Sequence, residues 1–145
     1  MPDSAAFDLE RRYLELGPDG SALAIDPQVL WNELRERTRR PRTQSLFDTS
    51  TEKSGESAWL VGIYTMRGAW DLWERHTLGD EMIYVVSGKV EIVMEHDATE
   101  SRVVLEEGAS YVMPRNVWHR GGARSSGATL HITPRHGNEH KPVST

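Results

Sequence analysis

The chain has 145 residues, room for one domain and little more, and it is long enough to bury a core without disulfide staples. It contains no cysteine, which excludes disulfide scaffolds, thiolate zinc sites, cysteine nucleophiles and cysteine-ligated iron–sulfur clusters. Seventeen basic and 22 acidic side chains leave a formal charge of −5 and a pI near 5.7, a balance opposed to an electrostatic grip on nucleic acid.

The N-terminal stretch Met1–Glu10 lacks the basic start and apolar run of a signal peptide. The longest apolar run, Ala58–Tyr64, is far too short to span a bilayer. The expectation is a cytoplasmic protein with neither membrane nor nucleic-acid partner. Tyr13–Leu16 and Ser21–Ile25 flank Gly17-Pro-Asp-Gly20, a pattern that predicts a hairpin. Asp26-Pro27 reads as an N-cap followed by proline at the first helical position. Leu30, Trp31 and Leu34 then recur at helical spacing, so a helix is expected to about Arg37. Its end merges into the basic cluster Arg35–Arg42, which carries no interleaved aromatics and reads as a solvated helix end. Ser45–Ser57 is polar and aperiodic, a connecting loop.

From Trp59 the texture changes. Short runs rich in β-branched and aromatic residues follow one another: Trp59–Thr65, Trp70–Arg75, Glu81–Val86, Lys89–Glu95, Arg102–Leu105, Ser110–Met113, Val117–Arg120 and Thr129–Thr133. Short strands at this spacing without intervening helices predict an antiparallel sandwich or barrel. Val86-Ser-Gly88 and Glu106-Glu-Gly108 read as tight turns. The expected layout is an N-terminal arm over 1–54, a barrel over 55–134 and a polar tail over 135–145.

The chemistry concentrates between Gly68 and Gly88. Glu74 and His76 sit two apart on a predicted strand, so both point to one face, while Trp73 and Arg75 point to the other. The glycine-centred Leu78-Gly-Asp80 can reset the parity, so that Glu81 opens the next strand beside them. Imidazole and carboxylate in one place suit a divalent first-row metal. A second stretch, Gly108–His119, brackets a strand between Gly108 and Pro114 and feeds His119 into the following one.

Together these segments resemble the two motifs of the cupin superfamily, G-x5-H-x-H-x(3–4)-E-x6-G and G-x5-P-x-G-x2-H-x3-N. Gly68, His76, Glu81 and Gly88 match the first at its spacing, and Gly108, Pro114 and His119 match the second. Glu74 stands in place of the first histidine, Asn116 in place of the turn glycine, and Ala123 in place of the final asparagine. Asparagine tolerates the left-handed backbone that the glycine supplies. The resemblance covers roughly Trp59–Pro134. It implies an all-β cupin jelly-roll barrel, here preceded by a short hairpin and helix, and a homodimer.

It also implies a divalent metal (Mn, Fe, Ni or Zn) held by Glu74, His76, Glu81 and His119. A metal-dependent enzyme on a small oxygenated molecule, of oxygenase (such as a dioxygenase), isomerase or lyase type, is the expected function. A non-catalytic small-molecule or sugar-sensing barrel is the alternative. Glu74 has a second available role, as general base beside a three-ligand metal. His131 reads as a surface or core-edge residue, His136 and His140 as part of a solvated tail, and His96 as exposed in a turn. Trp70, Trp73, Trp118, Tyr64, Tyr84, Tyr111, Met82, Met94 and Met113 read as core or dimer contacts. Of the arginines flanking the ligands, Arg75 and Arg120 are expected to point outward.

Overall fold

The computed structural model describes residues 6–39 and 58–144. The loop expected over 45–57 and the Arg40–Arg42 end of the basic cluster lie outside them. The arm begins with the predicted hairpin, β1 (Tyr13–Leu16) and β2 (Ala22–Ile25), followed by helix α1 (Pro27–Arg39). Asp26 caps that helix, its Oδ1 accepting from the Gln28 backbone N–H at 2.9 Å.

The barrel strands are β3 (Trp59–Arg67), β4 (Leu72–His76), β5 (Glu81–His96), β6 (Thr99–Glu106), β7 (Ser110–Met113), β8 (Trp118–Gly121), β9 (Ser126–Pro134) and β10 (Asn138–Pro142). All pairings are antiparallel, in the order β10-β4-β8-β5-β9-β3-β1-β2, with β6 and β7 also on β5. This is the all-β antiparallel barrel, preceded by a hairpin and helix, that the motifs lead one to expect. Among the described residues no helix is long and apolar enough to cross a membrane.

β5 is the spine. Its first half pairs with β7 and β9 and its second half with β6 and β8. The predicted turn at Val86-Ser-Gly88 is absent, and the two strands expected on either side of it are one. An irregularity between Val85 and Ser87 shifts the register there instead. Its effect is visible in the core, where Ile83 and Val85 are buried before it and Val90, Ile92 and Met94 after it. One extra residue moves the apolar set from odd to even positions without reversing the chain. Gly88 has φ +80°, and a Cβ there would lie 2.1 Å from the Ser126 carbonyl oxygen.

β10 is a second correction. Residues 138–142, expected to belong to a solvated tail, pair with β4 from Asn138 opposite His76 to Pro142 opposite Leu72. Asn-Glu-His-Lys-Pro has no strand signature of its own. Its alternate side chains find polar partners on both faces of the sheet, with Arg75 paired to Glu139 and Lys141 Nζ 2.7 Å from Glu95. On that outer face Arg75 and Lys141 each lie 4.6 Å from the Trp118 ring centroid, and Arg120 lies 4.9 Å from that of Trp73. Arg75 and Arg120 therefore do face away from the barrel interior, although neither is fully exposed.

Across the other half of the molecule the outer face is apolar. Register puts Leu14 beside Val61, Val61 beside Ile132, Ile132 beside Met82, and Met82 beside Val112. Ile63, Leu130 and Tyr84 form a second row on the same face.

The glycine constraint is measurable. Gly68 and Gly88 both have left-handed backbones, but only Gly88 has backbone atoms where a side chain would go. Gly68→Ala should cost about 1–2 kcal/mol, the price of the conformation alone. Gly88→Ala should cost clearly more, because β9 must also move away. Urea unfolding of the two variants compares them, and equal losses would count against the close approach.

Candidate metal centre

β4 projects Glu74 and His76 inward, as its period-two geometry requires. β8 lies beside it with Glu74 opposite His119. The short loop between β4 and β5 contains Gly79, and β5 starts with Glu81 buried on the same side. Asn116 takes the left-handed turn conformation at φ +66° and donates its backbone N–H to the His76 carbonyl at 2.7 Å, tying the turn before β8 to the end of β4. One ligand atom from each of Glu74, His76, Glu81 and His119 lies within 4.8 Å of all the others.

The orientation of both imidazoles is determined by what their Nδ1 atoms do. His76 Nδ1 donates to Asn138 Oδ1 at 2.8 Å. The amide of Asn138 is oriented in turn, since its Nδ2 donates to the Pro134 carbonyl at 2.8 Å. His119 Nδ1 donates to the Val117 carbonyl at 3.0 Å. Both Nε2 atoms are thereby turned toward the carboxylates. His76 Nε2 lies 3.2 Å from Glu81 Oε2 and 3.7 Å from Glu74 Oε1, and His119 Nε2 lies 3.3 Å from both Glu74 Oε1 and Glu81 Oε1. These contacts are close but poorly aligned, and His76 Nε2, His119 Nε2 and Glu81 Oε1 are buried without a hydrogen-bond partner. Three orphaned polar atoms facing one point, with imidazole and carboxylate donors, fit a divalent cation.

The carboxylates are also held from behind. Thr133 Oγ1 donates to Glu81 Oε2 at 2.6 Å, and His140 Nε2 lies 3.3 Å from Glu74 Oε2. His131, expected at the surface or core edge, is buried on β9 with Nδ1 3.5 Å from Glu81 Oε2 and Nε2 2.8 Å from Thr129 Oγ1. His140, expected in a solvated tail, is half-buried beside Glu74. Sequence reasoning missed Asn138, His140, His131 and Thr133 as parts of the site. The one available signal was parity, since Asn138 and His140 stand two apart, as Glu74 and His76 do. Glu74, His76 and Glu81 form the floor of a cavity of about 600 Å³, which runs outward between β3 and α1.

Charge in the cluster is self-compensating. Burial opposes the charged form of His119, but the attraction of Glu74 and Glu81 outweighs it and carries its pKa up to about 10. Burial likewise opposes protonation of His76, and Glu81 overcomes it, so its pKa is also raised. Burial would raise both carboxylates, but His119 and His140 hold Glu74 below the usual carboxylate range, and His76 and His131 hold Glu81 well below it. Without metal, His119 is therefore protonated at neutral pH, and the protonated form of His76 is favoured beyond its ordinary range. The pairing of His119 contributes stability that is complete below the unfolded-state value of 6.5 and is lost as pH rises toward about 10. Ligation needs the Nε2 lone pairs, so an ion must expel those protons. The metal-free melting temperature should fall between pH 6.5 and 10, while the increment on adding manganese or zinc should grow from pH 6 to 9. Thermal melts in chelator and in metal measure both, and an increment independent of pH would show that the ion does not touch the histidines.

Residues 64–133 match the family model described as Cupin domain. That span contains Glu74, His76, Glu81 and His119 but excludes the arm and β10. No curated protein matches the chain. Among solved structures it is similar to a cupin-2 domain containing protein from Shewanella frigidimarina, at 25% identity and TM-score 0.46, over 53% of this chain and 71% of that one. It is also similar to hydroquinone 1,2-dioxygenase from Sphingomonas sp. with 4-hydroxybenzoate bound, at 15% identity and TM-score 0.44, over 54% and 60%. A third is hydroxypropylphosphonic acid epoxidase from S. wedmorenis in complex with fosfomycin, at 18% identity and TM-score 0.43, over 53% and 43%.

Proposed function

From the Cupin domain match over residues 64–133, we propose that this chain is a cupin that holds a divalent metal through Glu74, His76, Glu81 and His119 and acts as a metal-dependent enzyme on a small oxygenated molecule. The observation that carries the reading is the pair of buried imidazoles. Each spends its Nδ1–H on a protein acceptor and turns an unpartnered Nε2 toward two carboxylates. Two carboxylates and two neutral imidazoles carry a charge of about −2, which a divalent ion balances. Mixed nitrogen and oxygen donors accept manganese, iron, nickel or zinc, and the carboxylate at position 74 makes the site harder than an imidazole would.

An enzyme is favoured over a purely binding module by where the donors lie. Three of the four form the floor of the cavity, so a bound molecule reaches them directly. When bound, the metal would supply Lewis-acid polarisation of a substrate oxygen, the property that oxygenase, isomerase and lyase chemistries share. The protein's part is orientation. Asn138 and the Val117 carbonyl aim the imidazoles, Thr133 steadies Glu81, and His140 occupies Glu74 Oε2 so that Oε1 is left to face the floor.

Elemental analysis of protein purified without a nickel column should find close to one divalent ion per chain. His76→Ala and His119→Ala should each lose it. Glu74→Ala should weaken binding less, because two histidines and Glu81 remain as a triad. Glu74→His should shift the order of preference toward nickel, copper or zinc. Absence of metal after incubation with manganese, iron, nickel and zinc salts would sink the reading. Unchanged affinity and metal order in both Glu74 variants would remove it from the ligand set and leave it the role of general base.

We also propose that the chain is a homodimer, with a second copy on the apolar face of β1, β3, β9, β5 and β7. Tyr84 at 37% and Val112 at 59% exposure lie open on that face, and a contiguous apolar patch of this kind is uncommon on a monomer. Light scattering should give twice 16.4 kDa, and Val112→Lys should lower it to the monomer. A wild-type mass of 16.4 kDa at every concentration would reject the dimer.

A further inference from the structure

The cavity above the four donors changes character with distance from them. Its floor is polar, and its walls are largely aromatic and aliphatic, with Thr65, Asp71 and Arg135 also on them. Tyr64 of β3 packs edge-on against His131 with centroids 4.7 Å apart, and Trp70 lies nearly parallel to the same imidazole at 6.4 Å. His131 Nδ1 is 3.5 Å from Glu81 Oε2, so the aromatic wall begins one side chain from the donor cluster. From there rings continue outward in contact. Tyr64 meets Tyr13 of β1 at 5.0 Å, and Trp31 of α1 meets Tyr64 at 5.8 Å and Tyr13 at 6.3 Å. Leu30 and Leu34 line the cavity from the same helix as Trp31.

Some polar groups along these walls are engaged within the protein. Thr65 Oγ1 donates to Glu10 Oε1 at 2.6 Å, and Arg135 Nε pairs with Glu15 Oε1 at 3.3 Å without an aligned hydrogen bond. Burial keeps the phenols of Tyr13 and Tyr64 neutral, that of Tyr13 with a pKa of about 12. A polyol entering here would give up water along the aromatic and aliphatic stretch of the wall, where partners for its hydroxyls are fewer than in solvent. A flat apolar ring meets ring faces and edges instead, contacts that add to the gain from the area buried. The volume, about 600 Å³, is of the size that takes small molecules, about 300–1,000 Å³.

We propose that the cavity takes an aromatic molecule carrying an oxygen acid group, a phenol or a carboxylic acid. The oxygen would face the floor, and the ring would lie among Tyr13, Trp31, Tyr64 and Trp70. For the partner of the oxygen this rests on the metal reading above; for the ring it rests on the walls alone. Tyr13 and Trp31 come from the arm, outside the Cupin domain match. Two of the four rings that would hold the ligand are therefore supplied by this chain's own N-terminal arm.

The test is isothermal titration of the full chain, loaded with manganese, with 2-naphthol, 2-naphthoate, myo-inositol and glucose. At least one aromatic probe should bind tenfold or more tightly than either polyol. Trp31→Ala should weaken that probe at least tenfold and leave the affinity for manganese unchanged, while Trp31→Phe should restore most of the loss. Preference between naphthol and naphthoate separates the phenol from the acid. Polyols binding as well as the aromatics, no aromatic binding to a chain that holds its manganese, or a Trp31→Ala variant that binds like wild type would each overturn the proposal and leave the metal reading standing. Aromatic binding that survives removal of the metal by chelator would support the walls and count against the metal as partner of the oxygen.

Discussion

Two carboxylates and two imidazoles share a buried space in which none of them can be left alone. A buried carboxylate without partners costs several kcal/mol or changes its protonation state, and here Glu74 and Glu81 are kept ionised by the histidines that face them. That mutual dependence reaches most of the barrel. β4 contributes Glu74 and His76, β5 Glu81 and β8 His119, while β9 and β10 supply the groups that hold them. Strands distant in the chain must therefore meet at ångström precision, or a charge is left uncompensated. The turn at Asn116, the irregularity in β5 and the close approach at Gly88 are the backbone devices that bring them there.

β10 illustrates how one element serves two environments. Asn138 and His140 point into the site, where the first orients His76 and the second holds Glu74. Glu139 and Lys141 point out, to Arg75 and Glu95, with Lys141 also lying over Trp118. Every side chain from 138 to 141 thus has a partner across the sheet. A strand with little intrinsic β preference is stabilised by what it meets, and in return it closes the polar end of the barrel. Its outward side chains also join β4 and β8 in a rim of cations over tryptophans, unlike the apolar outer face of β1, β3, β9, β5 and β7.

The arm completes the interior that the barrel strands begin. β1 adds Tyr13 to the edge of β3, and α1 lays Trp31 against Tyr13 and Tyr64. The donor cluster lies at the floor of a cavity whose aromatic wall these residues extend. The floor of the cavity is thus built by the barrel strands, and its wall is shared between barrel and arm.

Local sequence determined a good deal of this. Period-two alternation put Glu74 and His76 on one face, Asp26-Pro27 marked the start of α1, and the spacing of Gly68, His76, Glu81, Gly88, Gly108, Pro114 and His119 pointed to the barrel. Those features are legible because a strand, a cap or a turn is decided by neighbours a few residues away. Only the tertiary structure decided the rest. Whether Val86-Ser-Gly88 reverses the chain or merely shifts its register depends on β9 lying beneath it. Whether residues 138–142 pair at all depends on polar partners some sixty residues away, at His76 and Glu74. His131 is buried because Tyr64, Trp70 and Glu81 surround it, not because of anything in its own segment. A polar side chain has no periodic signature for burial; its place is set by the groups that satisfy it, and those are brought together only by the fold.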